Sequence, residues 1–299
     1  MNCILCKKEY LVLETEIPSE IIKNLWRRDL QFDINDEIGT IKSFKLFKCC
    51  SCNVKFFYPS LSGSNKLYKY LEKFDWYYMP EKWEHKVALK DLIKSEIILE
   101  IGSGFGDFLN TVILEKGNVI EGIELNETAV IESQRRGLPV KAIDLQEIVQ
   151  EFPGHYDAVC SFQVLEHVPN PKEFLDNMCN LLKPGGKLIM GLPNANSFLK
   201  HQFNILDMPP HHMTRWSQST LEKLPELFPI QLNHIKFEPL ADYHVNGYVG
   251  AYLSKFAKVL KLNFINKPRL IQLISKILIL TKMNKLLKGQ SIYASYSRK

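Results

Sequence analysis

Three glycines on alternate positions, Gly102, Gly104 and Gly106, follow directly after the apolar run Ile97–Ile101. This run is short and rich in β-branched residues, which predicts a buried parallel strand. Glycines after such a strand let the chain turn sharply and let a ligand lie against bare main chain. The next segment, 107–116, has a helical pattern and ends before a further glycine. A strand, a glycine turn and a helix N-terminus together predict a nucleotide-type binding site.

Three acidic residues lie at positions where they could accept hydrogen bonds from such a ligand. Glu100 lies two residues before the first glycine, where a carboxylate would repel a pyrophosphate but could accept a hydrogen bond from an ammonium group. Glu124 ends the second predicted strand, about twenty residues after the turn, and could accept both hydroxyls of a ribose. Asp144, near the end of the third strand, could accept from an adenine amino group or cap the next helix.

Two cysteine pairs suggest a metal site. Cys3 and Cys6 form one C-x-x-C pair, and Cys49 and Cys52 form the second, with Cys50 as an alternate member. Four thiolates are the soft, tetrahedral set that zinc prefers. The competing interpretation is four surface cysteines without metal, which would be exposed to oxidation. We therefore expect a structural zinc ion.

Two adjacent histidines, His211 and His212, stand in the phrase 207–217 with an arginine, Arg215. The segment 207–217 follows the fifth predicted strand, so it should lie above the cleft at the carboxyl ends of the strands. Adjacent side chains in an extended loop point to opposite sides, which predicts that only one histidine faces the acceptor. Arg215 is suited to hold an anionic part of the substrate. The alternative is a pair of loop histidines bonded to backbone.

The elements that must position these residues alternate between strand and helix from residue 97 onward. Alternation of this kind predicts a parallel sheet with helices on both faces, an α/β fold. Ligands then bind beyond the carboxyl ends of the strands. The predicted strands cover 97–101, 119–125, 140–145, 156–164, 187–192, 230–237 and 290–296.

The pattern E-x-G-x-G-x-G at 100–106 resembles motif I of the class I S-adenosylmethionine-dependent methyltransferases. The phrases F-Q-V-L-E-H-V-P-N-P at 162–171 and L-L-K-P-G-G-K-L-I at 181–189 resemble the motifs that follow strand four and open strand five in that family. The resemblance covers about 97–194 and implies a Rossmann-like, seven-stranded methyltransferase sheet with S-adenosylmethionine as cofactor. It also implies that Gln163 lines the methionine end of the cofactor. The glycine spacing argues against an NAD-binding dehydrogenase.

The histidine phrase resembles a P-P-H-H-x-x-x-W-S segment of metabolite-modifying members of the same family. Relatives that act on sugars place a general base at the second histidine, which implies His212 as the catalytic base and His211 as a substrate contact. Glu166 and His167 are expected to be structural. The cysteine pairs followed by an aromatic segment resemble an N-terminal extension of methyltransferases for sugars or small metabolites. Tyr77 in that segment is expected to contact substrate.

These observations divide the chain into three parts. Residues 1–60 are expected to form a zinc-binding unit, 61–96 an aromatic linker and leading helix, and 97–299 the methyltransferase domain, with a basic helical insertion at 241–289. By resemblance the acceptor is a hydroxyl or carbon of a sugar, sugar nucleotide or lipid-linked glycan. The alternatives are a small-molecule, quinone-like O-methyltransferase and a non-catalytic module that binds the cofactor as part of an interaction.

The net charge of +5 is unevenly distributed over the 299 residues. From Tyr243 to Lys299 there are eleven Lys and Arg and no Asp or Glu, so the remainder carries 27 basic and 33 acidic residues. A basic end on an acidic body suggests peripheral contact with an anionic membrane, and a solvated helical face is the alternative. No nucleic acid partner is expected. The first residues lack an apolar leader and no apolar stretch is long enough to span a bilayer, so a cytoplasmic protein is expected.

Overall fold

The computed structural model describes residues 1–260 and 268–299, which form two β-sheets with flanking helices. The strands are β1 Leu11–Pro18, β2 Ser43–Cys49, β3 Lys55–Tyr58, β4 Ile97–Ile101, β5 Val119–Ile123, β6 Val140–Lys141, β7 Tyr156–Phe162, β8 Leu182–Pro193, β9 Thr214–Arg215, β10 Ile230–Pro239 and β11 Lys288–Arg298. The helices are α1 Ser19–Leu30, α2 Asn35–Ile38, α3 Asn65–Leu71, α4 Trp83–Asp91, α5 Asp107–Lys116, α6 Glu127–Arg135, α7 Leu145–Glu151, α8 Pro171–Leu181, α9 Gln218–Leu221, α10 Val245–Leu260 and α11 Pro268–Leu280.

The larger sheet has seven strands in the order β10-β11-β8-β7-β4-β5-β6. Strands β4 to β8 run parallel where they pair, whereas β11 is antiparallel to both of its neighbours. The central strand β4 buries Ile98 and Leu99 completely, as expected for a strand covered by helices on both faces. The predicted α/β fold with a Rossmann-like seven-stranded sheet is confirmed.

Local signals explain several helix boundaries. The helix α5 begins after Gly106 and ends at Gly117, and both glycines adopt left-handed φ angles, 75° and 65°. The helix α6 is capped by the side chain of Asn126, which accepts from the N–H groups of Thr128 and Ala129. The third strand of the domain, β6, is shorter than predicted and ends at Lys141. The helix α9 ends at Leu221 and is followed by a 3₁₀ turn, Leu224–Glu226, that contains a proline.

The smaller sheet has the order β1-β2-β3-β9 and is antiparallel throughout. Its last strand, β9, comes from the histidine phrase, where Thr214 pairs with Phe56 and Arg215 pairs with Lys55. The backbone N–H of Phe57 also donates to the carbonyl of Met213, at 2.9 Å. The N-terminal part of the chain and the histidine phrase are therefore joined by strand pairing.

The basic insertion contains the helices α10 and α11 between β10 and β11, and its residues 261–267 lie outside the described residues. Ile271, Ile274 and Leu278 of α11 pack on a small core that includes Val249. The large apolar residues of α11 are therefore divided between this core and the surface, because Ile277 and others are exposed to solvent. Within the described part of the chain, none of the helices has the length and apolar character needed to cross a membrane.

Candidate active site

A cavity of about 1110 Å³ opens at the carboxyl ends of the parallel strands, where the fold places its ligands. Its wall combines the glycine turn after β4, the ends of β5, β7 and β8, the aromatic segment 76–79 and the histidine phrase. Most of the predicted site residues outside the cysteine cluster line this one space: Tyr77, Glu100, Gly102, Gly104, Glu124, Asp144, Gln163, His211, His212 and Arg215.

The glycine turn cannot carry side chains without rearrangement. Gly102, Gly104 and Gly106 all adopt positive φ angles, of 73°, 52° and 75°. A Cβ atom on Gly102 would lie 2.4 Å from Cγ2 of Val164, and one on Gly104 would lie 3.0 Å from the ring of Tyr78. The turn therefore brings bare main chain to the wall of the cavity, as predicted from its sequence.

Glu124 follows the end of β5 and is held by three backbone donors. Its carboxylate accepts hydrogen bonds of 2.8 Å from the N–H groups of Gly104, Leu125 and Asn126. These bonds fix the carboxylate at the edge of the cavity, in the place where an acidic residue can accept ribose hydroxyls.

Glu100 is almost fully buried, with 3% of its surface exposed. Burial raises the pKa of its carboxyl well above 4.5, although the positive charge of Lys82 opposes the shift. Its Oε2 atom has no hydrogen-bond partner among the residues that the structure describes. An unpaired buried carboxyl beside the glycine turn is suited to meet a cationic group such as the ammonium of a bound ligand.

Gln163 follows β7 with a left-handed φ of 58°. Its side-chain amide donates to the carboxylate of Glu84 at 2.9 Å, and Glu84 is itself 3% exposed. Sequence reasoning missed Glu84, because a lone glutamate in the leading helix α4 carries no motif. Asp144 lines the cavity and caps α7 by accepting from the N–H of Gln146 at 2.8 Å. Its contact with an adenine amino group stays a prediction.

Three histidines that line the cavity form a cluster. The ring centroids of His211 and His212 lie 4.5 Å apart with an interplanar angle of 20°. The expectation that these neighbours point to opposite sides is therefore wrong, because the chain turns here: both N–H groups donate to the carbonyl of Met208. His167, expected to be structural, lies 4.6 and 4.8 Å from the two rings.

Two histidines of this cluster donate their Nδ1 protons to backbone carbonyls. His167 donates to the carbonyl of His211 at 2.7 Å, and His211 donates to the carbonyl of Leu206 at 2.9 Å. His212 lies with Nδ1 3.3 Å from the carboxylate of Asp207. The opposite ring nitrogen, Nε2, of His167 and of His211 therefore keeps its lone pair when the ring is neutral.

Burial of His167 and His211 lowers the pKa of both imidazoles. Burial lowers the pKa of His211 to about 3 and that of His167 well below 6.5. Burial raises the pKa of the neighbouring Glu166 to about 7, against the opposing effect of His212. Glu166 is 1% exposed, and neither of its carboxylate oxygens has a hydrogen-bond partner within residues 1–260 and 268–299.

Arg215 and Tyr77 lie beside this cluster. The guanidinium of Arg215 donates to the carbonyl of Asp207 at 2.9 and 3.2 Å and lies 5.3 Å from the ring centre of Phe57. It therefore braces the histidine phrase, and its contact with substrate stays a prediction. The ring of Tyr77 lies 5.8 Å from that of His211, and burial raises the pKa of its phenol.

The four predicted cysteine ligands converge at a place outside the lining of the cavity. The Sγ atoms of Cys3 and Cys52 are 3.6 Å apart, those of Cys6 and Cys49 are 3.5 Å apart, and all four lie within 4.8 Å of one another. The hydrogen bond from Cys52 lowers the pKa of Cys3 to about 5, which favours a thiolate at neutral pH. Cys50 is exposed and outside the cluster, so the choice of Cys49 over Cys50 agrees with the geometry.

The strand order, the antiparallel last strand, the glycine turn and the acidic end of the next strand together define the fold of class I S-adenosylmethionine-dependent methyltransferases. The profile of a family described as a methyltransferase domain matches residues 76–228, just over half of the chain. The chain belongs to this family and is an S-adenosylmethionine-dependent methyltransferase.

Individual relatives agree with this assignment. A ubiquinone biosynthesis O-methyltransferase of Coxiella burnetii (strain Dugway 5J108-111) is 26% identical over 179 residues, which cover 52% of this chain and 76% of that protein. A protein of the same name from Dechloromonas aromatica (strain RCB) is 26% identical over 173 residues, covering 50% and 72%. Among solved structures, a methyltransferase of Thermotoga maritima has the same fold, with a TM-score of 0.50, 15% identity and coverage of 79% and 98%.

Proposed function

We propose that the protein transfers the methyl group of S-adenosylmethionine to a hydroxyl oxygen of a small aromatic or quinone-like molecule. The observation that carries this proposal is the similarity to two ubiquinone biosynthesis O-methyltransferases over most of their length. This similarity favours the small-molecule alternative over the sugar or glycan acceptor suggested first by the sequence.

Features of the cavity support an aromatic acceptor. Its rim carries Tyr68, Trp76, Tyr77 and Tyr78, and aromatic side chains pack well against a planar ring. The glycine turn and Glu124 would hold the cofactor, and the histidine cluster lines the same cavity. The task of this scaffold is to hold the acceptor oxygen in line with the sulfonium methyl, at about 3–3.5 Å.

Mass spectrometry with deuteromethyl cofactor tests the proposal. The protein is incubated with three acceptor sets: catechols and hydroxylated phenols, nucleotide sugars, and a lipid extract that contains lipid-linked glycans. We expect label in a phenolic product. Label in a sugar product alone would restore the sugar interpretation. An absence of label in all three sets, with cofactor binding shown by calorimetry, would favour the non-catalytic module.

We also propose that the cysteine cluster binds one structural zinc ion. Zinc–sulfur bonds of about 2.3 Å place tetrahedral thiolates roughly 3.8 Å apart, close to the 3.5 and 3.6 Å separations here. Cys3, Cys49 and Cys52 are buried, as ligands of a closed structural site should be. The metal would hold β2 and the N-terminal segment together.

A third proposal concerns the outer face of α11 as a contact with anionic membrane. Leu273, Ile277 and Leu280 are between 50% and 72% exposed, and Lys276 lies among them. Apolar side chains flanked by lysines can lie at an anionic lipid surface. Such a contact suits an enzyme whose acceptor is apolar.

A further inference from the structure

We propose that His167, His211 and His212 form a binding site for one divalent transition-metal ion of the zinc type, at the acceptor side of the cavity. This site is separate from the cysteine cluster. It deepens the proposed function, on which its role in methyl transfer rests, because it names the group that would meet the acceptor hydroxyl.

The three imidazole rings lie close enough together to share one ion. One nitrogen of each imidazole lies within 4.8 Å of a nitrogen of the other two. Ligands of a single ion at about 2.0–2.1 Å can lie at most roughly 4.2 Å from each other, so only a small movement of the rings closes the set. Three imidazoles are the ligand set of several catalytic zinc sites, which keep a further position open.

The hydrogen bonds around the rings provide a second, independent argument. His167 and His211 donate their Nδ1 protons to backbone carbonyls, and Nδ1 of His212 lies 3.3 Å from the carboxylate of Asp207. This outer arrangement is the one that orients metal-binding histidines, because it leaves the Nε2 lone pair for the ion. The Nε2 atom of His211 is buried and has no partner in the part of the chain that the structure describes.

A buried acidic residue, Glu166, lies beside the cluster. Oε1 of Glu166 lies 3.8 Å from Nε2 of His167. This carboxyl group is 1% exposed, and neither of its oxygens accepts a hydrogen bond among the described residues. A buried, uncompensated carboxylate is costly. A cation held by the three imidazoles would compensate the negative charge of Glu166. The acidic residue beside the histidines is therefore consistent with a metal site.

The open coordination position would face the cavity, since all three histidines line it. An acceptor hydroxyl bound there would lose its proton to solvent water more readily, because a metal ion lowers the pKa of a bound oxygen. The oxygen lone pair then forms the new O–CH₃ bond, while the electron pair of the broken S–CH₃ bond stays on sulfur. In this arrangement His212 is a ligand, and its suggested role as general base is the competing interpretation.

Metal uptake by the full chain tests the site. Wild-type protein is equilibrated with excess Zn²⁺, freed of loose metal by gel filtration and analysed for zinc. We expect about two ions per chain, one on the thiolates and one on the imidazoles. The double variant His211→Gln/His212→Gln should keep about one ion, with cofactor affinity within about twofold of wild type. His155→Gln, which changes an exposed histidine outside the cavity, is the matched control and should keep both.

Cobalt provides a readout that needs no variant. Co²⁺ bound to imidazoles gives weak visible bands, whereas Co²⁺ on thiolates gives intense near-ultraviolet absorption. Wild-type protein titrated with Co²⁺ should show both kinds of site. Uptake of thiolate-bound metal alone, or a second ion retained by the double variant, would overturn the proposal. Because no acceptor is added, the result is independent of the methyl-transfer assay, and failure of that assay would concern the proposed function instead.

Discussion

The carboxylate of Glu124 accepts a 2.8 Å hydrogen bond from the backbone N–H of Gly104, which ties the end of β5 to the glycine turn after β4. Glu124→Ala should weaken S-adenosylmethionine binding about tenfold or more, because charge-assisted bonds to the ribose hydroxyls are lost. Calorimetry measures the affinity. Glu132→Ala, on the surface of α6, is the control, and equal affinity of Glu124→Ala and wild type would contradict this role.

A methyl group on Gly102 should disrupt the turn. Gly102→Ala combines a left-handed φ of 73° with a clash against Val164, whereas Gly117→Ala has a similar φ of 65° and open space around its Cβ. We expect Gly117→Ala to cost about 1 kcal/mol of unfolding free energy and Gly102→Ala roughly 1–3 kcal/mol more. Urea unfolding gives both values. Val164→Ala should partly rescue Gly102→Ala, and equal costs for the two glycines would show that the clash is absent.

The buried carboxyl of Glu100 predicts a pH dependence of stability. Because burial raises its pKa well above 4.5, the folded, cofactor-free protein favours the protonated form. This contribution is fully present below about pH 4.5 and is lost as the pH rises through the raised pKa. Thermal melts of wild type and Glu100→Gln from about pH 5 to pH 8 should therefore diverge, with the variant gaining relative stability. Parallel melting profiles would mean that the carboxyl titrates normally.

Zinc at the cysteine cluster predicts different results for two neighbouring thiols. Cys52→Ser should lower the zinc content by about one ion per chain and lower the melting temperature, since closed thiolate sites contribute folding energy. Cys50→Ser, which changes the exposed neighbour, should do neither. Elemental analysis and calorimetric melting provide the two measurements. Native protein without zinc, in which all thiols react freely, would refute the structural site.

Vesicle flotation tests the outer face of α11. Wild-type protein should float with anionic phosphatidylglycerol vesicles at low salt, and less with neutral phosphatidylcholine vesicles, because lysines near the surface attract anionic lipid. Leu273→Ser/Ile277→Ser should reduce this binding, whereas Leu114→Ser, an exposed leucine on α5, should not. Identical flotation with both lipids would exclude the proposed contact.

Local sequence patterns predicted the glycine turn and its acidic partner, but they did not predict the contacts between side chains that are distant in sequence. The glycine turn, Glu124 and the two cysteine pairs were identified because a strand, a turn or a short spacing carries each signal within a few residues. The neighbourhood of His167 and His211 was not identified, because 44 residues separate them and loop packing brings them together. The same is true of Gln163 and Glu84, which are 79 residues apart. Periodicity describes each element but not which side chains meet across loops.

The pairing of β3 with β9 also bears on the order in which the protein can form. Lys55 finds its partner Arg215 only after a further 160 residues have been added to the chain. During synthesis, the edge of β3 that pairs with β9 therefore stays unpaired while the glycine turn and the central strands emerge from the ribosome. Pairings of such long sequence separation form late and slowly. The small sheet should accordingly be completed only after the central strands β4 to β8, which precede β9 in the chain, have been synthesised.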